Sequence, residues 1–329
     1  MNRGRADAPA VGRLAAAGLV GAGVVAAGAG VRAALRLGSR PGPYGSLVGL
    51  PGGRRFHALW QHGAPDGPTV VFENALVCSA TEWKWVIDAL GPDTSYLAYD
   101  RAGTGWTPPN RGGADIDAYT TSLRELLHAL RLPAPYVLVG HSVGGLLIRA
   151  FTARHPDLVA GLVFVDSSHP DQWARSEVQR TGMPWIRQRL LTHVGKAMLG
   201  LHGSVTQVSE TSSLPDGAGA ATAALLDLPG PWLGAYREAQ QVETAWSESA
   251  RSLTSVAPKP VAVVTAGETV RRDPVHRDLQ GELAALSNRH RHTQVDEASH
   301  ESVVMRAAHA VTVTEAVRWA VDLSDKESR

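Results

Sequence analysis

Cysteine is almost missing from this chain: Cys78 is the single one in 329 residues. A lone cysteine excludes an intramolecular disulfide, a Cys-x-x-Cys redox motif and a thiolate-built metal site. An excess of one charge sign is missing as well. The 32 Lys and Arg nearly balance 31 Asp and Glu, for a formal net charge of +1. No single-sign field then covers the surface, and nucleic acid is not an expected partner. Charged residues make up only 19% and hydrophobic ones 44%. That balance supports a sizeable core and argues against wholesale disorder. The length suits one elaborated domain, or one domain with an insertion.

Charge is also missing from residues 14–31, which hold seven Ala, five Gly, four Val and two Leu. Arg3, Arg5 and Arg13 precede the stretch, and Arg32, Arg36 and Arg40 follow it. Its length is at the short end for a membrane span, and Ala and Gly add little insertion energy. Three readings stand: an N-terminal membrane anchor, an export signal cleaved near residues 27–30, or a loosely docked cytoplasmic tail. Basic residues on both flanks leave orientation undecided. Gly21, Gly23 and Ala26 fit a dinucleotide fingerprint in form, but no strand precedes them and no acidic residue follows at the right distance. No organic cofactor is expected there.

Beyond a Pro/Gly linker at residues 40–45, the pattern becomes that of a folded domain. Residues 46–50 and 55–61 read as a hairpin about Pro51-Gly52-Gly53. Then short apolar runs alternate with helical periodicity. TVVFE from Thr69, residues 95–99, YVLV from Tyr136 and LVFV from Leu162 read as buried strands. Trp83, Val86, Ile87 and Leu90 recur at helix spacing, as do Ile116, Tyr119, Leu123, Leu126, Leu127 and Leu130. Residues 146–154 read as a helix stopped before Pro156. The alternation resumes late, with strands at residues 260–265 and 292–295 and helices at 278–286 and 307–323. This order implies βαβ units, and so a mostly parallel central sheet with helices on both faces. Between residues 167 and 258 the strand rhythm stops. That stretch holds Trp173, Trp185, Trp232 and Trp246 and a Gly/Ala/Ser-rich run at 209–224, which reads as a flexible join. A long insertion there lies over the carboxyl ends of the strands, where open α/β sheets bind ligands. It is expected to act as a helical cap, with one or two of its tryptophans lining an apolar pocket.

Gly140-His141-Ser142-Val143-Gly144 matches G-x-S-x-G between a buried strand and a helix start. In that context it reads as a nucleophile elbow: small neighbours let a strained Ser backbone present its hydroxyl clear of the sheet edge. A Ser hydroxyl needs a base to take its proton.

With GHSVGG at Gly140, YDRAGTGWT at Tyr99, LVFVDSSHPDQ at Leu162 and ASHES at Ala298, the chain resembles the α/β-hydrolase superfamily in its capped, serine-esterase-like branch. The resemblance covers about residues 47–321 and specifies no substrate. It implies the α/β-hydrolase fold, with residues 1–40 as the anchor or signal and linker, 41–166 and 259–329 as the two parts of the core, and 167–258 as the cap. It implies Ser142 as nucleophile and His300, just after the last strand, as its base. His309 is the nearest rival but falls within the last helix, and His141 reads as packing. For the acid, Asp166 at the end of LVFV is favoured over Asp273 and Glu268, which fit the commoner position one strand later only poorly. The oxyanion donors would be the main-chain N–H groups of Val143 and Leu76. Asp100 and Arg101 read as loop-bracing scaffold.

These readings converge on hydrolysis of a small or medium, apolar, ester-like small molecule through an acyl-enzyme, with no metal or cofactor. The same residues also suit carbon–carbon hydrolase or peroxidase-like chemistry, a ligand-binding protein on this scaffold, and, given the N-terminus, a membrane-attached or exported enzyme acting on lipid esters. Oligomeric state leaves no trace in the sequence.

Overall fold

The computed structural model describes residues 42–110, 112–201, 210–215 and 217–325. The stretch at 14–31, read above as anchor or signal, lies outside them. Among the described residues no helix is long and apolar enough to cross a membrane.

Eight strands form one sheet: β1 Ser46–Gly49, β2 Arg55–Gln61, β3 Thr69–Glu73, β4 Tyr96–Tyr99, β5 Tyr136–His141, β6 Val159–Val165, β7 Val261–Ala266 and β8 His290–Val295. Their spatial order is β1-β2-β4-β3-β5-β6-β7-β8. The first two strands add antiparallel at one edge, and every pairing from β4 to β8 is parallel. Parallel neighbours need crossovers. Those linking core strands carry α1 Lys84–Leu90, α2 Ile116–Ala129 and α3 Gly144–Arg154.

Strand periodicity explains the two cores. In β3, β5, β6 and β7 alternate residues point to opposite faces. Val70, Phe72, Val137, Val139, Val163, Val165, Ala262 and Val264 pack on one side, with Trp83 and Val86 from the α1 region and with Val313 and Val317. Val71, Leu138, Leu162, Phe164, Val261 and Val263 pack on the other, with Leu123, Leu126 and Leu127 of α2 and Leu146 of α3. Both faces are covered, which is why these strands read as unbroken apolar runs rather than alternating ones.

Between β6 and β7 lie α4 Gln172–Arg175, α5 Glu177–Met198, α6 Ala218–Leu226, α7 Pro229–Ala239 and α8 Ser247–Arg251. The Ala-rich run expected as a flexible join is in part the helix α6. Ala is the best helix former, and Ala218, Ala221, Leu225 and Leu226 bury a face that holds it in place. After β7 come α9 Gly267–Arg272 and α10 Val275–Ala284, then β8, the short α11 Ser302–Met305 and α12 Ala307–Asp325. Helix α10 starts three residues earlier than its apolar spacing suggested, and this extension brings in a residue of the site.

Candidate active site

Every strand of the parallel core ends at the same edge, and the loops leaving that edge carry the candidate residues. In the β5–β6 ladder His141 pairs with Val165. Ser142 and Asp166 therefore leave adjacent strands at the same level. Both adopt positive φ, 54° and 40°. This left-handed backbone costs a non-glycine residue about 1–2 kcal/mol, and strain of this kind gathers at functional sites. The loop residue Val77, at φ 68°, is a third case.

The elbow is held by close approach. A Cβ on Gly144 would stand 2.4 Å from the Glu73 carbonyl oxygen, and one on Gly140 would stand 2.7 Å from the Gly144 backbone. Both outer glycines of G-x-S-x-G are thus required by space. The strained turn is fastened by Ser142 N–H donating to the Val165 carbonyl at 3.2 Å and Ser168 N–H donating to the Ser142 carbonyl at 2.8 Å.

Asp166 is fully buried and accepts four hydrogen bonds. His300 Nδ1 (2.6 Å) and the Thr269 hydroxyl (2.7 Å) reach Oδ2. Ala266 N–H (2.9 Å) and His276 Nε2 (3.0 Å) reach Oδ1. Burial by itself would raise the carboxyl. The hydrogen bonds from His276 and His300, with their charges, outweigh it and hold Asp166 far below the ordinary carboxylate range. His300 is shifted the opposite way. Burial opposes its protonation, but the bond and charge of Asp166, with smaller contributions from Glu301 and Glu82, raise it from 6.5 to about 9. Its side chain is still 37% exposed, so the ring reaches the cavity from a buried partner.

His141 packs beneath. Its ring lies 4.8 Å from that of His300. Nδ1 meets Glu82 Oε2 at 3.0 Å and Nε2 meets the His300 carbonyl at 2.9 Å. It supports the His300 loop from below. His309 pairs with Ser302 on α11–α12, away from Asp166. The other two carboxylates considered for the acid border the same space but bond to other partners. Asp273 accepts from the Ser176 hydroxyl at 2.6 Å, and Glu268 pairs with Arg272. His276 is the site residue that sequence reasoning missed. Its only signal is an i, i+4 pair with Gln280, whose side-chain amide brackets the Ser167 backbone.

The loop after β3 carries Leu76. Trp83 Nε1 donates to Asn74 Oδ1, and Ala75 N–H donates to Glu82 Oε1, both at 2.9 Å. Arg101, buried, donates to the Asn74 carbonyl at 2.8 Å and the Ala75 carbonyl at 3.3 Å. The same guanidinium forks onto Glu238 of α7 at 2.7 and 2.8 Å. The turn after β4 thus braces the β3 loop and ties it to the helices between β6 and β7.

Two cavities share Ser142 in their walls. One, of about 290 Å³, is walled by Ala75, Leu76, Val77, Leu190 and Trp232. The other, of about 570 Å³, is more polar, with Val143, Ser168, Gln172, Gln179 and His276 in its wall. Trp185, Ile186 and His300 border both. Of the four tryptophans between β6 and β7, Trp185, Trp232 and Trp173 line these spaces, whereas Trp246 is core and donates to the Ala114 carbonyl. No cluster of three or more His, Cys, Asp or Glu side chains is placed for a metal among the described residues.

A doubly covered parallel sheet, with Ser, His and Asp on its carboxyl-end loops, defines a class of fold. Residues 61–304 match the family described as alpha/beta hydrolase fold, and the chain belongs to that family. Among solved structures, a haloalkane dehalogenase loop variant from Bradyrhizobium elkanii superposes with a TM-score of 0.65 at 17% identity, covering 86% of this chain and 98% of that one. A thermophilic esterase from Thermogutta terrifontis superposes with a TM-score of 0.60 at 18% identity, covering 85% and 98%. Such likeness speaks to the fold. By sequence, an uncharacterized protein of Schizosaccharomyces pombe is 27% identical over 215 residues, 64% of this chain and 39% of that protein. The chain spans less than half the length of the curated relatives it matches.

Proposed function

We propose that the protein is a serine hydrolase that cleaves a small or medium, apolar, ester-like substrate. The observation that carries this reading is the arrangement of Ser142, Asp166 and His300, with His300 Nδ1 on the Asp166 carboxylate and its ring at the cavity that Ser142 borders. Ser142 Oγ attacks the substrate carbonyl while His300 Nε2 takes its proton. The N–H groups of Val143 and Leu76 receive the developing oxyanion, and Asp166 stabilises the imidazolium. The imidazolium then protonates the leaving group, and water, activated by the same ring, releases the acid and restores Ser142. The segment at 167–258 acts as the cap that excludes solvent, with Trp185 and Trp232 shaping the apolar side.

Ser142 argues against the halide displacement named for the dehalogenase neighbour. That chemistry needs a carboxylate nucleophile to form an alkyl ester. Residues 14–31 would hold the enzyme at a membrane or direct it outward. The reading is tested with p-nitrophenyl esters of graded acyl length and fluorophosphonate labelling. Turnover and labelling are expected in the wild type and lost in Ser142→Ala. Equal turnover by the two proteins overturns it.

A further inference from the structure

Asp166 carries a second imidazole. His276, in the first turn of α10, is buried and places Nε2 3.0 Å from Oδ1, while His300 takes Oδ2. One turn later, Gln280 Nε2 donates to the Ser167 carbonyl at 2.7 Å. Helix α10 is therefore latched to the end of β6 by two side chains on one face. The charged and titratable groups around the pair can be named by element. Asp166 follows β6, His292 comes from β8, Glu268 and Arg272 from α9 with Asp273 just after it, Glu301 from the His300 loop, Glu82 from the segment before α1 and His141 from β5.

We infer that His276 is a positioning residue that acts through Asp166 to temper the basicity of His300. The inference rests on the triad proposed above. A carboxylate divides its charge among the donors it accepts. Each hydrogen bond drawn to Oδ1 leaves less negative charge for the imidazolium at Oδ2. His300 is already pulled well above the ordinary histidine range, and a base held too strongly protonated is idle at neutral pH. The Nε2–H of His276 offsets part of that pull, and the Ala266 and Thr269 donors still hold the carboxylate in place without it.

The test is the pH profile of kcat/KM on a p-nitrophenyl ester, which reports the free enzyme. His276→Leu should move the midpoint of the ascending limb up by about half to one pH unit, and so lower kcat/KM at pH 7 by roughly three- to tenfold. Above the limb it should return to within about twofold of wild type. His276→Gln, whose amide nitrogen occupies the place of Nε2, should restore the wild-type midpoint. A merely structural role would depress the profile at every pH and leave the midpoint fixed. That result in folded His276→Leu overturns the inference. If His276→Leu does not fold, His276→Gln and His276→Asn carry the test, because only Gln reaches Oδ1. Equal midpoints in the two overturn it. Asp166→Asn separates this inference from the reading beneath it. Its failure to lower the midpoint sinks the triad. Its success, with His276→Leu unmoved, sinks only the role of His276.

Discussion

His300 Nδ1 donates to Asp166 Oδ2 at 2.6 Å across 134 positions of sequence. The contact joins the loop after β8 to the end of β6, two strands away, over the intervening β7. It selects one carboxylate partner for His300 from three candidates. Asp273 and Glu268 leave the nearer strand end but turn to Ser176 and Arg272. The triad role of Asp166 and its consequences are open to direct measurement.

Ser142→Ala should reduce ester turnover by about 10⁴–10⁶-fold, the loss expected when a nucleophile is removed from a unit that works together. Because Ala is smaller and Gly140 and Gly144 are untouched, the thermal unfolding midpoint should stay within a few degrees of wild type. Residual turnover near the wild-type rate, in protein free of contaminating esterase, would refute the mechanism.

Asp166→Asn should cost about 10⁴-fold in kcat, because an amide presents a donor where His300 needs an acceptor and the wrong tautomer results. Asp273→Asn and Glu268→Gln should stay within severalfold of wild type. Steady-state kinetics on the three variants decides the acid. A large loss in Asp273→Asn alone would move the role there.

Hydrolysis should rise with pH from neutrality toward a limb near 9, since His300 must be unprotonated to act and is raised there from 6.5. The same shift bears on stability. A folded-state value above the unfolded one means that protonated His300 stabilises the fold fully below about 6.5, and that this contribution disappears as pH rises through about 9. Asp166 has the opposite sign: its contribution is present above its ordinary value of 3.8 and declines as pH falls below it. A bell centred on pH 6, in background-corrected rates, would contradict the coupling.

Glu238→Ala should destabilise the fold by about 3–5 kcal/mol, because it strips a buried guanidinium of its bidentate partner. Arg101 and Glu238 are both almost fully enclosed. Glu73 Oε2 also meets the guanidinium at 3.3 Å, so replacing all three together, Arg101→Met with Glu238→Leu and Glu73→Gln, should cost less than Glu238→Ala alone. It should still slow turnover, because the Asn74 and Ala75 carbonyls lose their donor. Chemical unfolding with parallel kinetics reads both effects. A combined variant less stable than the single one would count against the account.

Deleting residues 1–40 should leave a folded enzyme with wild-type kcat/KM, since β1 begins at Ser46. If residues 14–31 are an anchor, the deletion should also shift the protein from the membrane fraction to the supernatant. Failure of the truncated chain to fold would mean that the segment packs on the domain.

Much of this molecule could be read locally. The apolar runs of β3, β5, β6 and β7 announce a parallel sheet because strands covered on both faces have no polar side to show. The elbow is visible at Gly140-His141-Ser142-Val143-Gly144 because its geometry is a property of five consecutive residues. The helix α6 is not legible in its residues, since Gly, Ala and Ser suit a loose join and a buried helix equally until packing chooses. His276 left almost no trace, because a histidine in a helix looks the same whether it faces solvent or a carboxylate 110 positions away.

The sequence by itself determined the alternation of strand and helix, the family to which the chain belongs, and the strained turn that carries Ser142, because each depends on side-chain periodicity or on steric limits within a few residues. Only the tertiary structure decided which carboxylate meets His300, that a second imidazole shares it, and that Arg101 spans from the β3 loop to α7. Those outcomes depend on the order of strands in the sheet and on where separate loops converge at its edge, and distances of that kind are written in no local stretch of chain.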